Sequence, residues 1–392
     1  MLIHILYAPC PQITSYISMA AVLKESQQQI DAFMRSAIGR VATGPEYSKD
    51  LSFEESRNVM RYILQDSADP VQAGVYLIAL RMKRETDDEN GGSLQAILDE
   101  TKRVIADVDM VVDIAEPYDG YMRGAPVMAF LPAVLSACGV PAVSHGLEEV
   151  GPKFGVTHRK VLRAAGVNVD LTPLQAVEKI NNPDIGWSYL DQAQFCPSLH
   201  DLVPLRKRII KRPVLTTVEV LAKPICGKKS THLMTGYVHK PYPPVYERLA
   251  KLAGFDSSVI IRGVEGGITP ALNKPAKYFE YSGLESELKE INISPEDVAI
   301  SQSQRCVPVP DSVTATDDLG EQVVDVTALS NYSAKCGLEA LDGKTGFAQD
   351  CLVYSAAIML RHLNKADSLK SAAEIVTKVI ASKKALKCFQ AS

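Results

Sequence analysis

Between residues 22 and 106 apolar positions recur at three- and four-residue intervals, and polar side chains mark where each run begins. Ser52-Phe53-Glu54-Glu55 stands as a capping box before SRNVMRYIL, and Thr86 with Glu89 repeats the box further on. Asp69-Pro70 offers a cap and a first-turn proline before VQAGVYLIALRMK. The spacing predicts an all-helical segment. Gly91-Gly92 falls inside it and predicts close helix packing rather than a phosphate loop. After Asp107 the period changes to the short apolar runs MVVDI, PAVSHG, LMTGYV, SSVIIRG and AKYFEY, separated by helical stretches such as HRKVLRAAG and PPVYERLAKLAG. Strands alternating with helices of that length predict βαβ units and a mostly parallel central sheet. From about Thr327 the pattern is helical again, whereas residues 284–326, with several prolines and acids, support no assignment.

A chain of 392 residues is long for one core. The expected division is an extension over 1–21, read as disordered, an N-terminal helical domain over 22–106, and a larger α/β domain over 107–392 whose residues 190–215 pack on the helical domain. The net charge of −4 gives no global field for nucleic acid or anionic lipid, so any polyanion site must be local. Eight cysteines at 10, 138, 196, 226, 306, 336, 351 and 388 include no Cys-x-x-Cys pair, which fits a reduced, cytoplasmic protein and gives no metal site. The first residues are mildly apolar, yet Pro9, Pro11 and the lack of basic residues argue against a signal peptide or membrane span.

The chemistry-bearing residues gather where predicted strands end. A loop with Gly120, Arg123 and Gly124 separates the strand at Met110–Ile114 from a helix beginning at Pro126. Arg123 there is either a bidentate phosphate contact or an exposed loop arginine. The next strand ends at His145-Gly146, where His145 either touches a ligand phosphate or closes the strand as a hydrogen-bonded core histidine. Lys153, Thr157, His158 and Arg159 follow at a helix start, where N–H groups and cations meet an anion or simply face solvent.

The order helical domain, strand, glycine loop, helix, strand, His-Gly resembles the anthranilate phosphoribosyltransferase family, the glycosyltransferase family 3 fold shared with nucleoside phosphorylases. The resemblance runs from about Ala21 to the C-terminus through LSFEESRNVMRYIL, ACGVPAVSHG, YVHKPYPPVYERLAKLAGFDSSVIIRGVEGG and GFAQDCLVYSAAIML. It implies a phosphorylated ligand in an interdomain cleft, a homodimer formed through the helical domain, and Mg2+ if transfer persists. The donor motifs depart from the family. Its Gly-Thr-Gly-Gly-Asp loop is here Ala115-Glu116-Pro117-Tyr118-Asp119-Gly120, its Asn-x-Ser-Thr is Tyr121-Met122-Arg123-Gly124-Ala125, and its Lys-His-Gly-Asn is Ser144-His145-Gly146-Leu147. Of the magnesium-holding acids only Glu265 remains. These departures are similar to a divergent, nucleic-acid-binding branch without tryptophan-pathway activity, the alternative being an active pentosyl transferase with a changed acceptor. Within the resemblance, His200 and Arg206 match residues beside the acceptor. Arg206, Lys207, Arg208, Lys211 and Arg212 form a basic run that is either a polyanion contact or a solvated helix face.

Overall fold

The polar residues that open each apolar run become caps. The computed structural model describes residues 25–44, 46–316 and 322–392; the expected extension over 1–21 lies outside the described residues. Helices occupy Gln27–Val41, Phe53–Leu64, Pro70–Lys83 and Asp87–Glu100. The Ser52 hydroxyl accepts from the Glu55 N–H while the Glu55 carboxylate accepts from the Ser52 N–H, and Thr86 and Glu89 do the same. Asp69 accepts from the N–H groups of Val71 and Gln72, with Pro70 at the first helical position. Each cap contributes about 1 kcal/mol. The paired glycines let two of these helices touch backbone to backbone, since a Cβ on Gly92 would sit 2.2 Å from the Phe53 carbonyl oxygen.

The larger domain is built on a seven-stranded sheet of β1 (Met110–Ala115), β2 (Ala142–Gly146), β3 (Trp187–Asp191), β4 (Ser230–Gly236), β5 (Ser257–Ile261), β6 (Ala276–Ser282) and β7 (Lys289–Ile293). Its spatial order is β3-β2-β1-β4-β5-β6-β7. The first five strands in that order are parallel, and β6 and β7 extend the edge antiparallel. The mostly parallel sheet is as the apolar runs predicted, with two additions. Strand β3, WSYLD, has no clean alternation, and β7 lies in the stretch that supported no assignment.

Alternation along the strands sends side chains to two cores. Val112, Ile114, Met234 and Val259 join the helices around Phe130 and Phe347–His362, while Val111, Ala115, Leu233 and Ile260 join the helical domain. Helices Val203–Ile209 and Leu215–Val218 pack on Pro70–Lys83 and Asp87–Glu100 respectively, so both domains share one apolar core. Among the described residues no helix is long and apolar enough to cross a membrane.

Gly92→Ala tests the helix contact. The added methyl meets backbone rather than a movable side chain, so the two helices must separate. We expect a loss of about 2–3 kcal/mol, read from urea unfolding, with Gly39→Ala, where a Cβ meets nothing within 4 Å, as the control without a clash, stabilising by up to about 1 kcal/mol.

Candidate functional site

Strands β1 and β4 lie side by side, but the chain leaves β1 toward β2 and leaves β4 toward β5, in opposite directions. Such a switch point opens a crevice beyond the carboxyl ends of the strands, where open α/β sheets bind ligands. Here it is a cleft of about 1030 Å³ between the domains. Glu116, Asp119, Met122 and Arg123 line it after β1, and Tyr237 and His239 after β4. Arg81, Arg212 and Tyr242 close the helical side, and Arg305 stands on the opposite wall.

The loop after β1 is held in shape by its neighbours. Gly120, at φ +77°, passes so close to Gly155 and Val156 that a Cβ would fall 2.6 Å from the Gly155 carbonyl carbon. Tyr121 and Val156 exchange two backbone hydrogen bonds, of 3.0 and 2.9 Å. This clamp turns the next two N–H groups, on Met122 and Arg123, toward the cleft wall, where they meet a carboxylate from the chain itself. The Arg123 N–H donates to Glu265 Oε1 at 2.6 Å, and the Met122 N–H lies 3.2 Å from both carboxylate oxygens. Lys153 donates to Glu265 Oε2 at 2.9 Å and to the Gly120 carbonyl at 2.6 Å. Glu265 is in the left-handed region, at φ +53°, and its side chain is 6% exposed.

Glu116, placed by the family resemblance within the donor loop, is buried at the end of β1. Its Oε1 accepts the Ile268 N–H at 3.0 Å, while Oε2 has no hydrogen-bond partner and lies 4.0 Å from His158 Nε2. Burial pushes its carboxyl up to about 8, against smaller opposing effects of the Ile268 N–H and the Lys153 charge. Burial likewise drives His158 down to about 3, assisted by neighbouring His145. Burial thus favours the uncharged form of both groups.

Several expected contacts are absent from this cleft. His145 faces the core under the helical domain: its Nε2 donates to Asp113 at 2.7 Å, so Nδ1 accepts from the Tyr118 hydroxyl, and Phe195 packs against the ring. It is the hydrogen-bonded core histidine, and Gly146 beside it is buried. Thr157 caps helix His158–Ala164. Arg159 is committed to Glu148, Asp170 and Asp191. Gly124 packs against Cys306, whose Sγ would be 2.6 Å from an added Cβ. Arg206 is 1% exposed and joined bidentately to Glu219, at 2.5 and 2.7 Å, so it holds helix Val203–Ile209 in place and meets no acceptor or polyanion. His200 is half-buried with Nδ1 unpartnered and does not line the cleft.

What the structure does bring together is Arg123, Lys153 and Arg212. Arg212 is paired with Asp119, at 2.9 Å from its Nε, and Lys153 with Glu265. Arg123 and Arg305 have no ion-pair partner among the described residues. Lys207, Arg208 and Lys211 are exposed beside Arg212. The sequence reading missed Glu116 and Glu265 as site residues, having placed the first only in the altered donor loop and the second as what remains of the magnesium-holding acids. It also missed Arg81, Asp119 and Arg305. Their signal is position, at the ends of neighbouring strands or on walls that only the folded chain brings near.

A helical domain packed over a mainly parallel sheet, with a cation-bearing cleft at the switch point, makes this a two-domain α/β protein with its crevice between the domains. Residues 35–101 match the helical bundle domain of the glycosyl transferase family and residues 127–386 its α/β domain, and the chain belongs to that family, glycosyl transferase family 3. It is 31% identical to an uncharacterized protein of Aquifex aeolicus over 58% of this chain and 67% of that one. The anthranilate phosphoribosyltransferase of Persephonella marina is 24% identical over 86% of this chain and 92% of its own. In fold, the anthranilate phosphoribosyltransferase of Thermus thermophilus matches with a TM-score of 0.69 over 92% of this chain and 97% of that one, at 19% identity. The Saccharomyces cerevisiae enzyme, solved with PRPP and Mg, gives 0.70 over 92% and 96%, at 14% identity.

Glu116 carries a pH signature. Folded, it keeps a proton that the unfolded chain releases near the ordinary value of 4.5, so stability falls as pH rises from 4.5 to about 8 and is flat above. Glu116→Gln is neutral throughout. It should be more stable than the native protein by on the order of a few kcal/mol at pH 8, the advantage vanishing toward pH 4.5. Urea unfolding of both proteins across that range checks this, and an advantage that did not grow with pH would mean an ionised Glu116.

Proposed function

We propose that this family member binds a phosphorylated ligand, a small molecule or a nucleic-acid strand, in the interdomain cleft without anthranilate phosphoribosyl transfer. The observation that carries the reading is that, among the described residues, no three acid, histidine or cysteine side chains come together to hold the metal that a diphosphate donor brings. Such a donor is also held by close backbone N–H groups, of which Pro117 supplies none. Mg2+ does not fit the residues present, because Asp119 is paired with Arg212 and burial favours the protonated form of Glu116, which leaves Glu265 beside the loop with too few oxygen partners. Arg123 and Arg305 remain free to pair with phosphate, and the adjoining exposed Lys207, Arg208 and Lys211 extend the positive rim toward a longer polyanion. The described cysteines are all free thiols, which fits a reducing cytoplasm.

Titration calorimetry with ribose 5-phosphate, nucleotides and short oligonucleotides tests this. We expect binding that Arg123→Ala abolishes with under about 0.5 kcal/mol change in stability, and no product from anthranilate and a phosphoribosyl donor. Oligonucleotide affinity should fall with salt, with a slope of about −0.7 per phosphate contact on single strands, and weaken when Lys207 and Lys211 are reversed to Glu. Anthranilate turnover would overturn the reading, and transfer to another acceptor would establish the changed-acceptor enzyme instead.

The family's homodimer has a candidate surface in the helical domain. Val71, Val75 and Met82 are 73%, 45% and 77% exposed on helix Pro70–Lys83, at spacings of four and seven that align them on one face. We expect a dimer by light scattering that Val75→Glu with Met82→Glu reduces to a monomer; an unchanged mass for the variant would place the interface elsewhere.

A further inference from the structure

We propose that Glu265 is a built-in anion occupying a phosphate site, and that a ligand's phosphate group enters by displacing it. The site consists of the Met122 and Arg123 N–H groups with the Lys153 ammonium, and the inference rests on the cleft-binding reading above. Three donors converge on one carboxylate at distances of 2.6, 2.9 and 3.2 Å, the arrangement that a phosphate monoester also satisfies. A phosphate brings three acceptor oxygens and more charge than a carboxylate, so it competes on favourable terms. Its outer oxygen would face the cleft, where the Arg123 side chain is exposed and has no ion-pair partner among the described residues.

The plug is also held against a backbone preference. Glu265 sits at φ +53° and ψ 19°, a left-handed conformation that costs a non-glycine residue about 1–2 kcal/mol. Glycines at 263, 266 and 267 surround it, and Gly266 too has positive φ, at +88°. Nothing in that turn requires a carboxylate except the three donors it satisfies. Once displaced, the side chain is free to swing into the cleft it already lines and to become solvated there. Lys153 then exchanges one anion for another and is never left unpaired, which removes the main penalty of breaking a partly buried ion pair.

The test uses the full chain with inorganic phosphate and ribose 5-phosphate as probes. Glu265→Gly removes the plug and suits the left-handed backbone. If Glu265 fills the site nine-tenths of the time or more, the variant should bind both probes about tenfold tighter or better. Glu265→Gln keeps the shape without the charge and should fall between the variant and the native protein, which preserves the test if the glycine variant folds poorly. Lys153→Met should weaken binding. In the native protein, saturation with ribose 5-phosphate should move the amide resonances of Met122 and Arg123 in heteronuclear NMR spectra. Binding no tighter in either Glu265 variant, or amide resonances that stay in place at saturation, would overturn the displacement. Native binding that needs Arg123 but leaves those amides unmoved would do so while sparing the cleft reading. If neither the native protein nor Glu265→Gly binds either probe at millimolar concentration, the displacement falls, and the cleft reading falls with it only if nucleotides and oligonucleotides fail to bind as well.

Discussion

A carboxylate removed from water must be given donors or a proton, and the cleft of this protein is organised by the ways in which that demand is met. Glu265 receives two backbone N–H groups and an ammonium. Asp119 receives the Arg212 guanidinium, and Glu219, further back, receives Arg206 in a bidentate pair. Glu116 has one N–H and no cation within bonding distance, so it takes the proton. Each solution fixes a piece of backbone: the loop after β1, the segment after helix Val203–Ile209, and the turn at 263–268. The cleft's walls are thus positioned by its own acids, and Arg123 and Arg305 stand on them with no ion-pair partner among the described residues, as does the exposed Asp311.

This explains why the fold was legible in the sequence and the site much less so. Ser52, Asp69 and Thr86 act within three residues of themselves, so their caps could be read as text, and apolar runs reported buried strands in the same local way. The strand WSYLD and the antiparallel β7 were missed because neither carries a local period strong enough to distinguish it. Site residues depend on partners at long range. His145 meets Asp113 from 32 residues away, and Arg123 and Glu265 are 142 apart. Arg206 and Glu219 are only 13 apart, yet nothing local shows that both turn inward. A basic run read as one surface therefore splits, with Arg206 in the core and Lys207, Arg208 and Lys211 in solvent.

The departures from the family's donor motif gain a physical meaning from the same accounting. Glu116 and Pro117 in the donor loop remove close backbone approach there and, at Pro117, one N–H group, but other N–H groups of the loop remain. The clamp between Tyr121 and Val156 presents the N–H groups of residues 122 and 123 in their place. A loop's donors are set by what it is paired with as well as by its own residue types. Tight backbone approach has meanwhile moved to the turn that carries Glu265: a Cβ on Gly236 would lie 2.1 Å from the Gly267 carbonyl oxygen, and one on Gly267 would lie 2.6 Å from Glu116 Oε2. Those contacts bring the ends of β1, β4 and β5 close enough for one carboxylate to reach across them. The glycines of this cleft therefore serve contacts between its walls, and any phosphate it holds must be met by the two loop N–H groups and by the side chains at the rim.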